Sequence, residues 1–154
     1  MRTRTIILTL VLCFVTGAFC LASNPNMGTW KLNEAKSKIA PGGVKNTTVV
    51  YEAAGDKIKV TVDGVDGEGK PAHNEWTGNF DGKDYPVTGD PTSDTRSYKQ
   101  VDEHTLELTA KKDGKVTTTG KIDVSHDGKT RTVKTHGTDS KGNKFENTAV
   151  YDKQ

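Results

Sequence analysis

Apolar and polar residues alternate at every second position through much of residues 94–136, and short polar breaks interrupt the alternation. Leu106, Leu108 and Ala110 fall on one face of a segment whose Glu107 and Thr109 fall on the other. Period-two alternation is typical of half-buried β-strands, and Asp-Gly between two such runs is a strong signal of a tight hairpin turn. The pattern predicts four antiparallel strands in up-and-down order, at residues 94–101, 104–111, 116–124 and 130–136.

The same alternation continues on both sides of this region. It predicts six further strands, at residues 28–32, 46–53, 57–63, 71–81, 83–87 and 143–152. One segment differs, because residues 33–39 carry helix-forming side chains after Asn33, which is a good helix N-cap. We expect a helix of about two turns there, ended by the Pro41-Gly42-Gly43 sequence.

About ten consecutive antiparallel strands would leave two exposed edges in an open sheet, and closure into a barrel removes both edges. The predicted fold is therefore all-β: an up-and-down antiparallel β-barrel of about eight to ten strands, with one short helix after the first strand. The interior of such a barrel holds either packed side chains or one small ligand.

The N-terminus has the features of a secretory signal peptide. Arg2 and Arg4 precede an apolar run at residues 6–20, which is too short to span a membrane comfortably, and Ala22 supplies a small residue for cleavage. We expect cleavage after Ala22, with cleavage after Cys20 as an alternative. Lipid attachment at Cys20 is a further alternative, although the bulky Phe19 precedes it. The predicted organisation is a signal peptide at 1–22 and one domain at 23–154, in the periplasm or secreted.

Removal of that segment changes the composition. Both cysteines of the 154-residue chain, Cys13 and Cys20, would be lost, so the mature domain would have no disulfide. Loss of Arg2 and Arg4 takes the count of Lys and Arg from 22 to 20, against 20 Asp and Glu. A near-neutral domain argues against a nucleic-acid partner, which usually demands a basic excess. We also expect no stable membrane insertion after cleavage, and a monomer.

Trp30 adds a family resemblance. Gly28-x-Trp30 on the first strand, a short link, a β-meander and a Val150-Tyr151 ending together resemble the calycin superfamily, which contains lipocalins and fatty-acid-binding proteins. The resemblance covers nearly all of residues 23–154 as a strand pattern. It implies that the first and last strands pair. It also implies that Trp30 plugs one end of the barrel, with the basic side chain of Arg131 lying across the indole.

The chain departs from fatty-acid-binding proteins in two ways. The link after the first strand is too short for their two-helix lid. Their carboxylate-binding Arg-x-Tyr on the last strand is matched only at Tyr151, because Ala149 stands where the arginine would be. Predicted export also fits lipocalins better than their intracellular relatives. The closer resemblance is therefore to a lipocalin-like barrel.

Candidate ligand-binding residues lie on three strands. Arg96 and Tyr98 are two apart, so they share a face, and an inward arginine would need an anion to pair with. The pair is a candidate carboxylate clamp; alternatively, both point to solvent or Arg96 pairs with a neighbouring Asp. Trp76, Phe80 and Leu108 are candidates for an apolar pocket wall, and a filled core is the alternative for them.

Other chemistry has little support in the sequence. Four scattered histidines lack metal-site spacing, and no Gly-x-Ser-x-Gly elbow or phosphate loop is present. We therefore predict no metal, no cofactor and no enzyme activity. The expected function is an exported lipocalin-like binding protein whose partner is a small hydrophobic or amphipathic ligand. The alternatives are a ligand-free structural or interaction barrel of the cell envelope and, third, an enzyme on the same scaffold.

Overall fold

Ten β-strands and one short 3-10 turn make up the structure, a computed structural model that describes residues 24–139 and 141–154. The predicted signal peptide at 1–22 lies outside the described residues. The strands, in chain order, are β1 (Gly28–Leu32), β2 (Lys45–Ala54), β3 (Lys57–Val65), β4 (Pro71–Gly78), β5 (Tyr85–Thr88), β6 (Thr95–Gln100), β7 (Thr105–Lys112), β8 (Lys115–Val124), β9 (Thr130–Thr138) and β10 (Lys144–Lys153).

Each strand pairs in antiparallel fashion with the next one along the chain, and β10 pairs with β1 to close the barrel. The closing register places Leu32 opposite Tyr151, while Trp30 lies opposite Val49 on the other side of β1. Closure pairs the outer edges that an open meander would expose. The structure confirms the predicted closed, up-and-down, all-β barrel and the pairing of its first and last strands.

The predicted two-turn helix at residues 33–39 was wrong in extent, because only Glu34–Lys36 is helical, as a single 3-10 turn. Asn33 does cap it, with its side chain accepting a hydrogen bond from the Lys36 amide. Ser37 then leaves the helical conformation and its hydroxyl accepts from the Val150 amide, while Lys38 pairs with Thr148. Helices this short are not stable alone, so pairing with β10 determines the conformation.

Because successive strands run in opposite directions, their connections lie alternately at the two ends of the barrel. The β1–β2, β3–β4, β5–β6, β7–β8 and β9–β10 connections lie at one end, here called the open end, and the others lie at the closed end. Trp30 is fully buried near the closed end, and its indole N–H donates to the Asn26 carbonyl at 2.8 Å. Asn26 is itself buried. The segment before β1 therefore covers Trp30.

Nine glycines of the described residues have a positive φ, a backbone conformation that favours glycine, and two of them are at a strand start and in a hairpin turn. Gly28, which opens β1, has a φ of 103°, and Gly114 in the β7–β8 hairpin has a φ of 74°. The neighbouring Asp113 also has a positive φ, of 49°. Two consecutive positive φ values are the signature of the type I′ turn, whose twist matches that of the flanking strands. Within residues 24–139 and 141–154, no helix is long and apolar enough to span a membrane.

Candidate functional site: the barrel cavity

A cavity of about 510 Å³ occupies the barrel interior. Its lining runs from buried tyrosines in the middle of the barrel to connections at the open end, at residues 39–44, 66, 89–92, 138–139 and 143–144. Exposed residues such as Pro41 and Asn143 form part of the rim, so the cavity reaches the surface there. Its volume falls in the range of roughly 300–1,000 Å³ typical of small-molecule sites.

The wall of the cavity is mainly apolar. Side chains from eight strands line it, and the aliphatic ones include Val49, Val62, Leu108, Ala110, Ile122, Val133 and Ala149. Thr118 and Asn147 add small polar groups at inward positions. Because these side chains are short or branched at the points where they face one another, they leave the barrel interior partly empty. Leu108 therefore has the wall position that the strand pattern predicts.

Arg96 and Tyr98 both point inward from β6 and line the cavity. The Arg96 guanidinium is paired, however: its Nη2 lies 3.0 Å from Oδ2 of Asp90, a residue of the β5–β6 connection. Its Nη1 donates to the Tyr98 hydroxyl in a long hydrogen bond of 3.5 Å. The structure thus realises the alternative in which a neighbouring aspartate neutralises Arg96.

Asp90 is held by several groups at once. Its carboxylate accepts hydrogen bonds from the Ser93 hydroxyl and from the amide and hydroxyl of Thr92, in addition to Arg96. Partial burial alone would raise the pKa of the carboxyl group, but these hydrogen bonds and the Arg96 charge prevail and lower it. Asp90 is therefore ionised at neutral pH, and the ion pair with Arg96 is intact.

Arg131, on β9, is the second buried arginine of the lining, with 3% of the residue exposed. Its Nη2 donates to the Tyr51 hydroxyl at 2.7 Å, whereas Nε and Nη1 have no hydrogen-bond partner among the described residues. Its guanidinium carbon lies 4.8 Å from the ring centroid of Tyr51 and 5.4 Å from that of Tyr151. Aromatic faces therefore surround this cation, and in the described part of the chain no carboxylate pairs with it.

The expected stack of Arg131 on Trp30 is looser than its contacts with the tyrosines. The guanidinium carbon is 6.0 Å from the Trp30 ring centroid, and Nζ of Lys153 is closer, at 5.0 Å. Lys153 is at the end of β10 and was not among the residues predicted for this end of the barrel. The predicted last strand ended at residue 152, and the register that places Lys153 opposite Trp30 is a feature of the structure.

Trp76 and Phe80 are placed differently from the prediction, since neither lines the cavity. Both belong to an aromatic cluster: their rings stack with centroids 6.3 Å apart, and the Trp76 ring meets the Tyr98 ring edge-on at 4.7 Å. The Trp76 indole N–H also donates to the Arg96 carbonyl at 2.8 Å. These two aromatics thus support the inward Tyr98 from the side away from the cavity.

The histidines do not form a metal centre. Within the described ranges, no group of three or more His, Cys, Asp and Glu side chains is arranged to hold a metal ion. On the outer surface, His73 lies 2.6 Å from Asp63, and this hydrogen bond is the main reason that the pKa of His73 is raised. The contact is solvent-exposed and lies outside the cavity lining.

No protein-family model matches this sequence, and no curated protein matches it. Among solved structures, that of EF1p2_mFAP2b bound to DFHBI is similar, with a TM-score of 0.51 and 10% sequence identity over 86% of this chain and 97% of that chain. The structure of a redesigned β-barrel, mFAP1, bound to DFHBI has a TM-score of 0.48 and 15% identity, over 84% and 95%. At such identities the first likeness concerns the fold alone.

Proposed function

We propose that this protein is an exported, lipocalin-like binding protein that holds one small hydrophobic or amphipathic ligand inside its barrel. The observation that carries the proposal is the cavity of about 510 Å³, which is enclosed by the closed sheet and reaches the surface at the open end. A filled structural barrel would use larger side chains at positions such as Thr118, Asn147 and Ala149, which line this space.

Burial of the ligand against the wall would supply most of the affinity. Transfer of apolar surface out of water is worth about 25 cal/mol per Å², from which the costs of ordering and of lost motion are subtracted. Leu108 and Ile122 offer apolar surface on neighbouring strands, and Arg96 and Tyr98 stand near the polar end of the ligand. The solved EF1p2_mFAP2b barrel was bound to DFHBI, which supports ligand binding by a barrel of this fold.

Titration with fatty acids and retinoids tests the proposal, with Trp76 fluorescence and the melting temperature as signals. Trp76 contacts Tyr98, a lining residue, so a ligand beside Tyr98 should change its emission. At a ligand concentration of 100 times the Kd, the free energy of unfolding should rise by about 2.7 kcal/mol. If no compound in the panel changes either signal, the ligand-free barrel is the better description.

A pair of variants on β7 separates cavity binding from surface adsorption. Ala110 points into the cavity, whereas Glu107 is exposed on the outer face of the same strand. Ala110→Phe should fill part of the cavity and weaken binding at least tenfold, while Glu107→Phe should leave the affinity unchanged. Equal affinity in both variants would contradict binding inside the barrel.

A further inference from the structure

The two arginines in the cavity lining differ in how their charges are balanced. The guanidinium of Arg96 is paired with Asp90 at 3.0 Å. Arg131 contacts three aromatic rings and one hydroxyl, and no aspartate or glutamate of the described residues forms an ion pair with it. A buried charge without a counter-ion is costly. The interior of the barrel therefore contains one positive charge that no carboxylate of the described residues balances.

Two tyrosine hydroxyls lie between these arginines. The Tyr51 hydroxyl accepts a hydrogen bond from Arg131, and the Tyr98 hydroxyl accepts one from Arg96. A hydroxyl that accepts from an arginine still has its own hydrogen to donate. Even if one of the two tyrosines donates to the other, one O–H remains available to a group in the cavity. Both residues line the cavity, so that O–H is within reach of a ligand.

The protonation state of Tyr51 keeps this donor available. Burial raises the pKa of the Tyr51 hydroxyl well above its usual value, and this effect outweighs the opposing charge of Arg131. Tyr51 is therefore neutral at physiological pH and does not balance the charge of Arg131 as a phenolate. It is a hydrogen-bond donor polarised by a neighbouring cation, which is a favourable arrangement for binding an anion.

We propose that the inner end of the cavity, formed by Tyr51, Tyr98 and Arg131, binds the carboxylate of a singly charged amphipathic ligand. The inference rests on the proposed function and names its ligand class. Tyrosine hydroxyls donate to the carboxylate, and Arg131, which is shielded by the aromatic rings, supplies the opposite charge through Tyr51. The apolar tail extends along the wall towards the open end. A single negative charge is selected because a single cation is unbalanced.

This assignment differs from a clamp formed by Arg96. An anion at Arg96 would have to compete with Asp90, which already has the support of Thr92 and Ser93. Arg96 instead orients the Tyr98 hydroxyl through its Nη1. The proposed site also differs from the carboxylate site of fatty-acid-binding proteins, which uses an arginine on the last strand. This chain has Ala149 at that position. The cation comes from β9 and its hydroxyl partner from β2.

The experiment compares decanoate with 1-decanol, two ligands of equal chain length that differ in charge, by titration of Trp76 fluorescence at pH 7.4. Wild-type protein should bind decanoate at least tenfold more tightly, which corresponds to about 1.4 kcal/mol. Tyr51→Phe removes only the bridging oxygen, and it should reduce the preference to less than threefold. Arg131→Met should have the same effect.

Tyr85→Phe is the matched control. The Tyr85 hydroxyl donates to Asp81, and Tyr85 does not line the cavity. This variant removes a tyrosine oxygen outside the proposed site, so it should retain the tenfold preference. Tyr51→Phe remains decisive if Arg131→Met does not fold, because it leaves the ring in place.

The outcomes separate the inference from the function on which it rests. Equal affinity for the acid and the alcohol in the wild type would overturn the anion site and leave the binding function standing. A preference that survives in Tyr51→Phe would also overturn the site. If neither compound binds, and the wider ligand panel gives no signal, both the proposed function and the anion site are overturned.

Discussion

Trp30 connects three parts of the barrel at the scale of a single side chain. Its ring is fully buried, and its N–H donates a hydrogen bond to the Asn26 carbonyl. The charged ends of Arg131 and Lys153 lie over the ring. Removal of the ring would leave a cavity, an unpaired Asn26 carbonyl and the Lys153 ammonium without its aromatic partner. Substitutions of this kind in a core usually cost more than the lost transfer energy, because the surroundings relax only in part.

We expect Trp30→Ala to lower the free energy of unfolding by about 3–5 kcal/mol, measured by urea titration. Lys31→Ala is the control, because Lys31 is exposed on the same strand and surface substitutions usually change stability by less than about 0.5 kcal/mol. A loss below about 1 kcal/mol for Trp30→Ala would mean that the ring does not plug the barrel.

The ion pair between Asp90 and Arg96 makes stability depend on pH. The pKa of Asp90 is lower in the folded protein than in the unfolded chain, so its stabilising contribution is present above the unfolded pKa of about 3.9 and is lost as the pH falls through the folded pKa. Other aspartates, among them Asp66 and Asp139, have lowered pKa values too. A comparison with a variant is therefore needed to isolate the part due to Asp90.

We expect Asp90→Asn to reduce the free energy of unfolding at pH 7 by about 3 kcal/mol, because it leaves Arg96 buried without a counter-ion. The difference between wild type and variant should shrink below pH 4, where the wild-type carboxylate becomes protonated. Urea titrations of both proteins between pH 2.5 and 7 measure this. A difference that stays constant across that range would show that Asp90 contributes through something other than its charge.

At the scale of single residues, the sequence predicted which side chains point inward but not which residues they contact. Alternation along β6 was sufficient to place Arg96 and Tyr98 on one face, and both are inward. The aspartate that pairs with Arg96 lies in a connection, where no periodicity applies. The contact between Arg131 and Tyr51 joins residues 80 positions apart. It depends on barrel closure and on side-chain length, and neither is visible in a local pattern.

Elements were predicted best where local turn chemistry and alternation agree. The β7–β8 hairpin follows the Asp113-Gly114 signal directly, and both residues have positive φ. The two-turn helix predicted after β1 is absent from the described residues 33–39, because the helix propensity of seven residues stabilises less than the pairing of Lys38 with β10. Phe80 was placed on a strand, but β4 ends earlier, at Gly78, and Phe80 lies outside any strand.

The β7–β8 turn offers a test of whether its backbone conformation matters. Gly114→Ala should reduce the free energy of unfolding by about 1–2 kcal/mol, since a residue with a Cβ atom is strained at a φ of 74°. Space does not limit the substitution, because a Cβ at this position would meet nothing within 4 Å. Urea titration gives the value.

Asp113→Gly is the matched variant in the same turn. It relieves the positive φ of Asp113, so it should be neutral or slightly stabilising, with the Asp113 amide still donating to Asp94. If both variants lose the same stability, the loss would come from something other than the backbone conformation of this turn.

At the scale of the whole molecule, the strand count predicted closure, but not whether the interior is filled. An exposed edge is unfavourable whatever the side chains are, so closure follows from the number and order of strands. The volume of the cavity depends instead on how inward side chains of different strands face one another around the barrel. The sequence has small or polar residues at four positions that the alternation places inward, namely Thr118, Gly120, Asn147 and Ala149, and this is a signal of empty space. Of these, Thr118, Asn147 and Ala149 line the cavity.

We predict that the chain is exported and that residues 1–22 are removed to give the mature domain. The charged start, the apolar run at 6–20 and the small Ala22 predict cleavage that leaves Ser23 as the first residue. Cleavage there would keep residues 24–27, the segment before β1 that covers Trp30. In this segment the Asn24 side chain accepts a hydrogen bond from the Asn26 amide, and the Asn26 carbonyl accepts one from the Trp30 indole. A cut beyond Asn26 would remove this cover from the indole.

N-terminal sequencing of protein recovered from outside the cytoplasm measures the cleavage site directly. We expect the sequence Ser-Asn-Pro-Asn, whereas cleavage after Cys20 would give Leu-Ala-Ser, and a lipid-blocked Cys20 would give no sequence until the lipid is removed. An Ala22→Leu variant is the informative control, because it replaces the small residue that cleavage requires and should accumulate uncleaved precursor. Recovery of the exported protein with Met1 still present would contradict the signal peptide.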